Sequence, residues 1–257
     1  MRGRRDDPLG MMGFMDFLGR DGVRLAYRET GEGRPLILFH GFMGKSEHWI
    51  DGGIAGRLAE RGHRVIMPDM RGHGDSAKPH DAASYPLDAL ADDGLALIDH
   101  LGLTGYDLAG YSLGGRTVAR LLARGAQPRR AVIGGQGLDA VLHTAGRGGQ
   151  FRRLLGGFGT WEPGTPERRM EDSVRADGGD PVALQLVLDT FVNTSPAELA
   201  AVTVPVLVLT GTDDRHNETA KALADTLHGE YRELPGDHFT AMVSPEFESA
   251  LTGFLED

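Results

Sequence analysis

Short apolar runs that alternate with helical stretches constrain this 257-residue chain more than any other feature. Residues 35–39 and 204–210 are almost continuously apolar, the mark of strands buried on both faces of a sheet. Residues 23–27, 64–67, 106–109, 130–133 and 231–234 read as further strands, the run at 64–67 being halted by Pro68. Helical stretches fall between them at 46–61, 87–101 and 112–124, closed by Gly62, Gly102 and Gly125, and again at 217–227 and 245–255. Strands and helices in alternation predict a mostly parallel central sheet with helices on both faces, an α/β fold. The alternation lapses between 137 and 202, where glycine-rich turns flank helices expected at 166–176 and 181–191. The expected organisation is therefore a flexible tail over 1–13, an α/β core over 14–136 and 203–257, and a helical cap over 137–202. Long insertions between strands more often serve binding than the core.

Composition removes several classes of function. With no Cys there is no disulfide framework, no Cys-ligated zinc and no thiol nucleophile. The 27 basic and 37 acidic side chains leave a net charge of −10, which argues against a broad nucleic-acid-binding face. No run approaches the ~18 apolar residues of a membrane span, and no apolar signal region follows the basic start. Neither nucleic acid nor membrane is expected as a partner, and the expected location is the cytoplasm.

The chemistry concentrates on Gly110-Tyr-Ser112-Leu-Gly114, set between an apolar strand and a helix. A serine on a sharp strand-to-helix turn stands clear of the sheet edge, and flanking glycines let strand and helix pack closely. The helix start beneath it favours developing negative charge. A hydroxyl becomes a competent nucleophile only when a base removes its proton, a task suited to imidazole. Of ten histidines, His238 follows the last expected strand in a Pro-Gly loop, at the same sheet edge as Ser112. His40 is expected to order the turn after the 35–39 strand, and His73 to support another turn; no metal is expected at His73, Asp75 and His80.

With these motifs in place the chain resembles the α/β-hydrolase superfamily from residue 23 onward. His40-Gly-Phe-Met-Gly44 looks like the family's oxyanion loop, and Asp69-Met-Arg-Gly-His-Gly-Asp-Ser76 like the turn that follows the next strand in many members. Gly211-Thr-Asp-Asp214 and then Leu234-Pro-Gly-Asp-His238 complete the family's order of serine, acid and histidine. The resemblance implies a triad of Ser112, Asp214 and His238, with Asp213 and Asp139 left open as alternatives for the acid. It also implies backbone oxyanion donors at Phe42 and Leu113. Met43 and Tyr111, with Phe158, Trp161 and Phe191 from the cap, are expected to contact substrate; Leu142, Phe151, Leu154, Leu155 and Leu188 are further candidates. Arg147, Arg152 and Arg153 read as a solvated basic face, with contact to a substrate carboxylate as the alternative. The implied activity is cofactor-free hydrolysis of a carboxylic ester, lactone or thioester of a small to medium apolar molecule. C–C bond hydrolases, perhydrolases or haloperoxidases, and a non-catalytic receptor are the alternatives. A homo-oligomer is left open.

Overall fold

The computed structural model describes residues 14–144 and 148–256. The expected tail and Arg147 lie outside these residues. Eight strands form one sheet: β1 (Met15–Leu18), β2 (Arg24–Thr30), β3 (Arg34–Phe39), β4 (His63–Asp69), β5 (Asp107–Tyr111), β6 (Ala131–Gly134), β7 (Val206–Gly211) and β8 (Glu230–Leu234). Their order is β1-β2-β4-β3-β5-β6-β7-β8. The β1–β2 and β2–β4 pairs are antiparallel and the other five pairs parallel. This is the α/β-hydrolase fold.

The period-two geometry of a strand explains the two-layer core. Along β3, Ile37 and Phe39 join one apolar layer with Leu97 and Leu121, from helices Ala89–His100 and Leu113–Ala123. Leu36 and Leu38 join the opposite layer with Leu58, Leu251 and Phe254, from helices Ile54–Glu60 and Pro245–Glu256. Both sets are almost fully buried, which is why the strand reads as a continuous apolar run.

Several expectations change in detail. The edge strand β1 has no counterpart in the sequence reading; its four residues pair with β2, and only Phe17 is buried. Strand β4 runs through Pro68 to Asp69, because a proline near a strand end costs one donor without disturbing the extended backbone. The helix expected over 46–61 is two helices, Glu47–Asp51 and Ile54–Glu60, broken where Gly53 takes a left-handed φ of 74°.

Between β6 and β7 the described residues form helices and no strand: Leu138–Leu142, Gly149–Gly156, Pro166–Ala176, Pro181–Val187 and Pro196–Ala200. The last three start alike. Thr165, Asp180 and Ser195 each accept a backbone N–H of the first turn, with proline as the first helical residue. The helix expected to reach 191 ends at Val187. No helix among the described residues is long and apolar enough to cross a membrane.

Candidate active site

Six parallel strands deliver their following loops to one sheet edge, where ligands of open α/β sheets are bound. Ser112 follows β5 with φ 55° and ψ −115°, a backbone state that a side-chain-bearing residue adopts only when its surroundings enforce it. The enforcement comes from close backbone contact. A Cβ on Gly110 would collide with the Gly114 backbone, and one on Gly114 would collide with the Phe39 carbonyl. The Ser112 amide donates to the Gly134 carbonyl at 2.9 Å, and Gln136 Nε2 donates to the Ser112 carbonyl at 2.8 Å. The turn is thus held on both sides while Oγ faces outward.

His238 stands opposite. Its Nε2 lies 2.9 Å from Ser112 Oγ, and its Nδ1 lies 2.7 Å from Asp214 Oδ2. A carboxylate only accepts, so Nδ1 carries the proton and Nε2 accepts from the serine hydroxyl. The loop that carries His238 is shaped by Asp237, whose Oδ1 accepts the amides of Phe239 and Thr240 at 3.0 and 2.9 Å. Gly211 allows this loop to pass over the end of β7, since a Cβ there would meet the Gly236 carbonyl.

Geometry distinguishes the three candidate acids. Asp214 is buried beside the imidazole, whereas Asp213 and Asp139 are exposed. Burial works to raise the Asp214 carboxyl, but hydrogen bonds from His238 and Asn217 outweigh it and hold the group below its ordinary value. Asn217 was not anticipated. Its Nδ2 donates to Asp214 Oδ2 at 2.8 Å and its Oδ1 accepts the Gly137 amide at 3.0 Å, so it ties the acid to the start of the inserted region. The only sequence signal was an amide side chain three residues after the acid.

The loop after β3 lies against the serine. A Cβ on Gly41 would sit 3.6 Å from Ser112 Cβ, and the turn is closed by the Gly44 amide on the Gly41 carbonyl at 3.0 Å. Phe42 lies in that turn. Leu113 is the first residue of its helix, so its amide is one of those that a helix leaves without an internal acceptor. His40 orders the loop as expected: Nε2 accepts the Met70 amide at 3.0 Å, so Nδ1 donates to the Gly41 carbonyl at 2.8 Å. Burial lowers its pKa and keeps the ring neutral. Asp69 fastens the far end, accepting the Ser46 amide at 2.6 Å and the Asp75 amide at 2.8 Å. The groups considered for a metal are not brought together, since Asp75 pairs with Arg28 at 2.6 Å and His80 with Asp180 at 2.7 Å.

Two clefts meet at this point. The larger, of about 780 Å³, is lined by Met43, Tyr111, Phe151 and Met242 among others. The smaller, of about 360 Å³, is lined by Leu113, Gln136, Leu188 and Phe191 among others. Phe42, Ser112 and His238 line both, so the serine stands where the two join. Phe158 and Trp161 line neither. Phe158 packs under the Arg175 guanidinium, and Trp161 Nε1 donates to the Leu154 carbonyl at 3.0 Å, so both rings are spent on packing within the inserted region. Leu142, Leu154 and Leu155 also lie off both clefts. Arg152 and Arg153 point to Asp189 and Glu167.

Comparison with known proteins agrees with this architecture. Residues 34–139 match the family model described as the alpha/beta hydrolase fold. A non-heme haloperoxidase of Rhodococcus erythropolis is 40% identical over 104 residues, which make up 40% of this chain and 36% of that protein. The match thus spans little more than a third of the relative's length. Among solved structures, the esterase RhEst1 from Rhodococcus sp. ECU1013 superposes with a TM-score of 0.71 at 26% identity, over 96% of this chain and 99% of that one. Est816, described as an N-acyl homoserine lactone degrading enzyme, gives a TM-score of 0.71 at 26% identity, over 92% of this chain and 99% of that one. The chain thus shares the α/β-hydrolase fold over nearly its whole length and resembles that family's sequences over residues 34–139.

Proposed function

We propose that this protein is a cofactor-independent serine hydrolase that cleaves a carboxylic ester, lactone or thioester through an acyl-enzyme. One observation carries the reading: the continuous chain from Ser112 Oγ through His238 to Asp214, at 2.9 and 2.7 Å, on a serine held at positive φ. In this reading Ser112 Oγ attacks the carbonyl carbon while its proton passes to His238 Nε2. Asp214 holds the imidazole orientation and stabilises the imidazolium as it forms. The tetrahedral oxyanion is met by the amides of Phe42 and Leu113, each such donor being worth roughly 3–4 kcal/mol. Collapse expels the alcohol or thiol, which takes the proton from His238. Water, deprotonated by His238, then releases the acid and restores the serine. Residues 137–202 act as a cap over the site, and the clefts on either side of Ser112 receive the two halves of a small-molecule substrate.

The esterase and lactone-degrading descriptions of the two structural relatives support this class. The haloperoxidase relative favours a second reading on the same residues, in which the acyl group passes to hydrogen peroxide instead of water and leaves as a peracid. Turnover of short-chain p-nitrophenyl esters tests the main reading. Ser112→Ala should lose activity by several orders of magnitude and remain folded. Undiminished turnover in that variant would remove Ser112 from the mechanism. Peracid formation from acetate and hydrogen peroxide, faster than ester hydrolysis, would favour the second reading.

A further inference from the structure

The larger cleft has one wall made by a single helix face. Pro166, Arg169, Met170, Ser173 and Asp177 line it at three- and four-residue spacing along and just beyond helix Pro166–Ala176. Three arginines occur on this helix, and they differ in what they meet. Arg168 pairs with Asp172 at 2.8 Å and Arg175 with Glu171 at 2.8 Å, both away from the cleft lining. Arg169, which does line the cleft, donates only from Nη1 to the Gly164 carbonyl at 2.7 Å. Among the described residues it has no carboxylate partner, and its Nε and Nη2 have no acceptor.

The other charged groups of this cleft are compensated. Arg57 is bound by Glu248 at 2.5 Å, and Asp177 faces His48 at 3.2 Å and Lys45 at 3.5 Å. Among the described residues, the charged group of the cleft without an opposite partner is therefore the exposed Arg169 guanidinium, in a protein whose net charge is −10. Apolar side chains of Met43, Met170 and Met242 line the same cleft.

We infer that Arg169 is a specificity-determining residue that receives a free carboxylate, so that the preferred substrates are esters carrying a second, ionised carboxyl group beyond an apolar spacer. The inference rests on Ser112 being the nucleophile of the proposed hydrolase. A guanidinium presents paired donors in a plane that matches a carboxylate, and methylene groups between the two ends suit the thioether and apolar walls. The apolar acyl group expected from the sequence thus gains a polar end. The arginine responsible is not one of Arg152 and Arg153, which point to carboxylates of the protein itself.

The test compares two matched pairs of probes. One pair is p-nitrophenyl octanoate and p-nitrophenyl hydrogen suberate, which place a carboxylate on the acyl side. The other is phenyl acetate and 4-carboxymethylphenyl acetate, which place it on the alcohol side. In at least one pair the carboxylated probe should have the lower KM. Arg169→Gln should raise that KM about five- to tenfold, with much smaller changes in kcat and in the KM of the neutral probe, and abolish the salt sensitivity of the preference. Arg168→Gln, with the same change in net charge, should leave the preference intact, and Arg169→Lys should restore part of it. Equal KM values within both pairs, or equal losses in Arg169→Gln and Arg168→Gln, would overturn the inference. The two failures are separable: a fully active Ser112→Ala sinks the proposed mechanism, whereas an inactive Ser112→Ala with no carboxylate preference in the parent sinks only the role of Arg169.

Discussion

The sheet and the inserted helices meet at Ser112 but are held together by different means. In the sheet, backbone lies against backbone: Gly110, Gly114 and Gly115 sit where a Cβ would strike main-chain atoms of Gly114, Phe39 and Gly134. Both faces are covered by broad layers of buried apolar side chains. In the inserted region, a small cluster of Leu155, Val174, Leu184 and Leu188 forms the buried apolar centre among the described residues. Its helices depend more on terminal caps, and its glycines at 149 and 156 have nothing within 4 Å of where a Cβ would be. Three bridges fix the turn between its third and fourth helices to the core: Asp177 meets His48 at 3.2 Å and Lys45 at 3.5 Å, and Asp180 meets His80 at 2.7 Å. The difference teaches where tolerance lies. The region that holds Ser112 cannot yield by tenths of an ångström, whereas the region that shapes the clefts can vary while the Ser112 turn stays in place.

Substitutions at matched positions sharpen this contrast. The largest effect is expected at the acid. Asp214→Asn should lower kcat on a p-nitrophenyl ester about ten-thousandfold, because the amide no longer favours the required tautomer, while Asp213→Asn stays close to the parent. Comparable mild losses in the two variants would break the assignment.

Next comes Gly114→Ala, whose new methyl meets the Phe39 carbonyl carbon and the His40 carbonyl oxygen, neither of which can move without shifting β3 and its loop. A loss of about 3 kcal/mol or more by urea unfolding is expected, within the range of overpacking and backbone strain.

The pH dependence of stability is smaller but has a definite sign. His73 is buried and its pKa is lowered to about 3, with burial as the main cause. The unfolded chain binds a proton near its ordinary value of about 6.5, and the folded chain does not. Stability from this group is therefore present above pH 6.5 and is lost progressively as pH falls from there toward 3. Between pH 6 and 4 the slope contributed by His73 approaches about 1.4 kcal/mol per pH unit, and His73→Asn should flatten the measured curve by that amount. An unchanged slope would show that the ring is hydrated in the folded state.

The smallest effect lies in the inserted region. Gly156→Ala, on an exposed helix position with open space around it, should stabilise by about 0.5 kcal/mol without changing kcat.

The same contrast explains what could be read in advance. Strands β3 and β7 were legible because burial on both faces demands nearly uninterrupted apolar residues. The juxtaposition of Ser112 and His238 was legible because a strained turn and a Pro-Gly loop need particular residue types at particular spacings. Asp214 and Asp213 are adjacent, and their separate fates depend on which one turns inward toward His238, a choice made by the loop and not by local composition. The edge strand β1 buries one side chain, too little for a pattern. Phe158 and Trp161 illustrate the harder limit: an apolar side chain on an inserted helix serves either the small local core or the cleft, and only packing decides. Arg169 is distinguished from Arg168 by one position along a helix and, among the described residues, by the lack of a carboxylate partner, which no sequence pattern displays.

The central claim is that Ser112, activated by His238, attacks an acyl-type electrophile. Intact-mass measurement after exposure to an alkyl fluorophosphonate tests it most directly. One phosphonyl group should appear per chain, located on Ser112 by peptide mapping, absent from Ser112→Ala and formed at least a hundredfold more slowly in His238→Ala, as expected on removal of a general base. A parent protein that stays unmodified, or a label that maps elsewhere and persists in Ser112→Ala, would contradict the account.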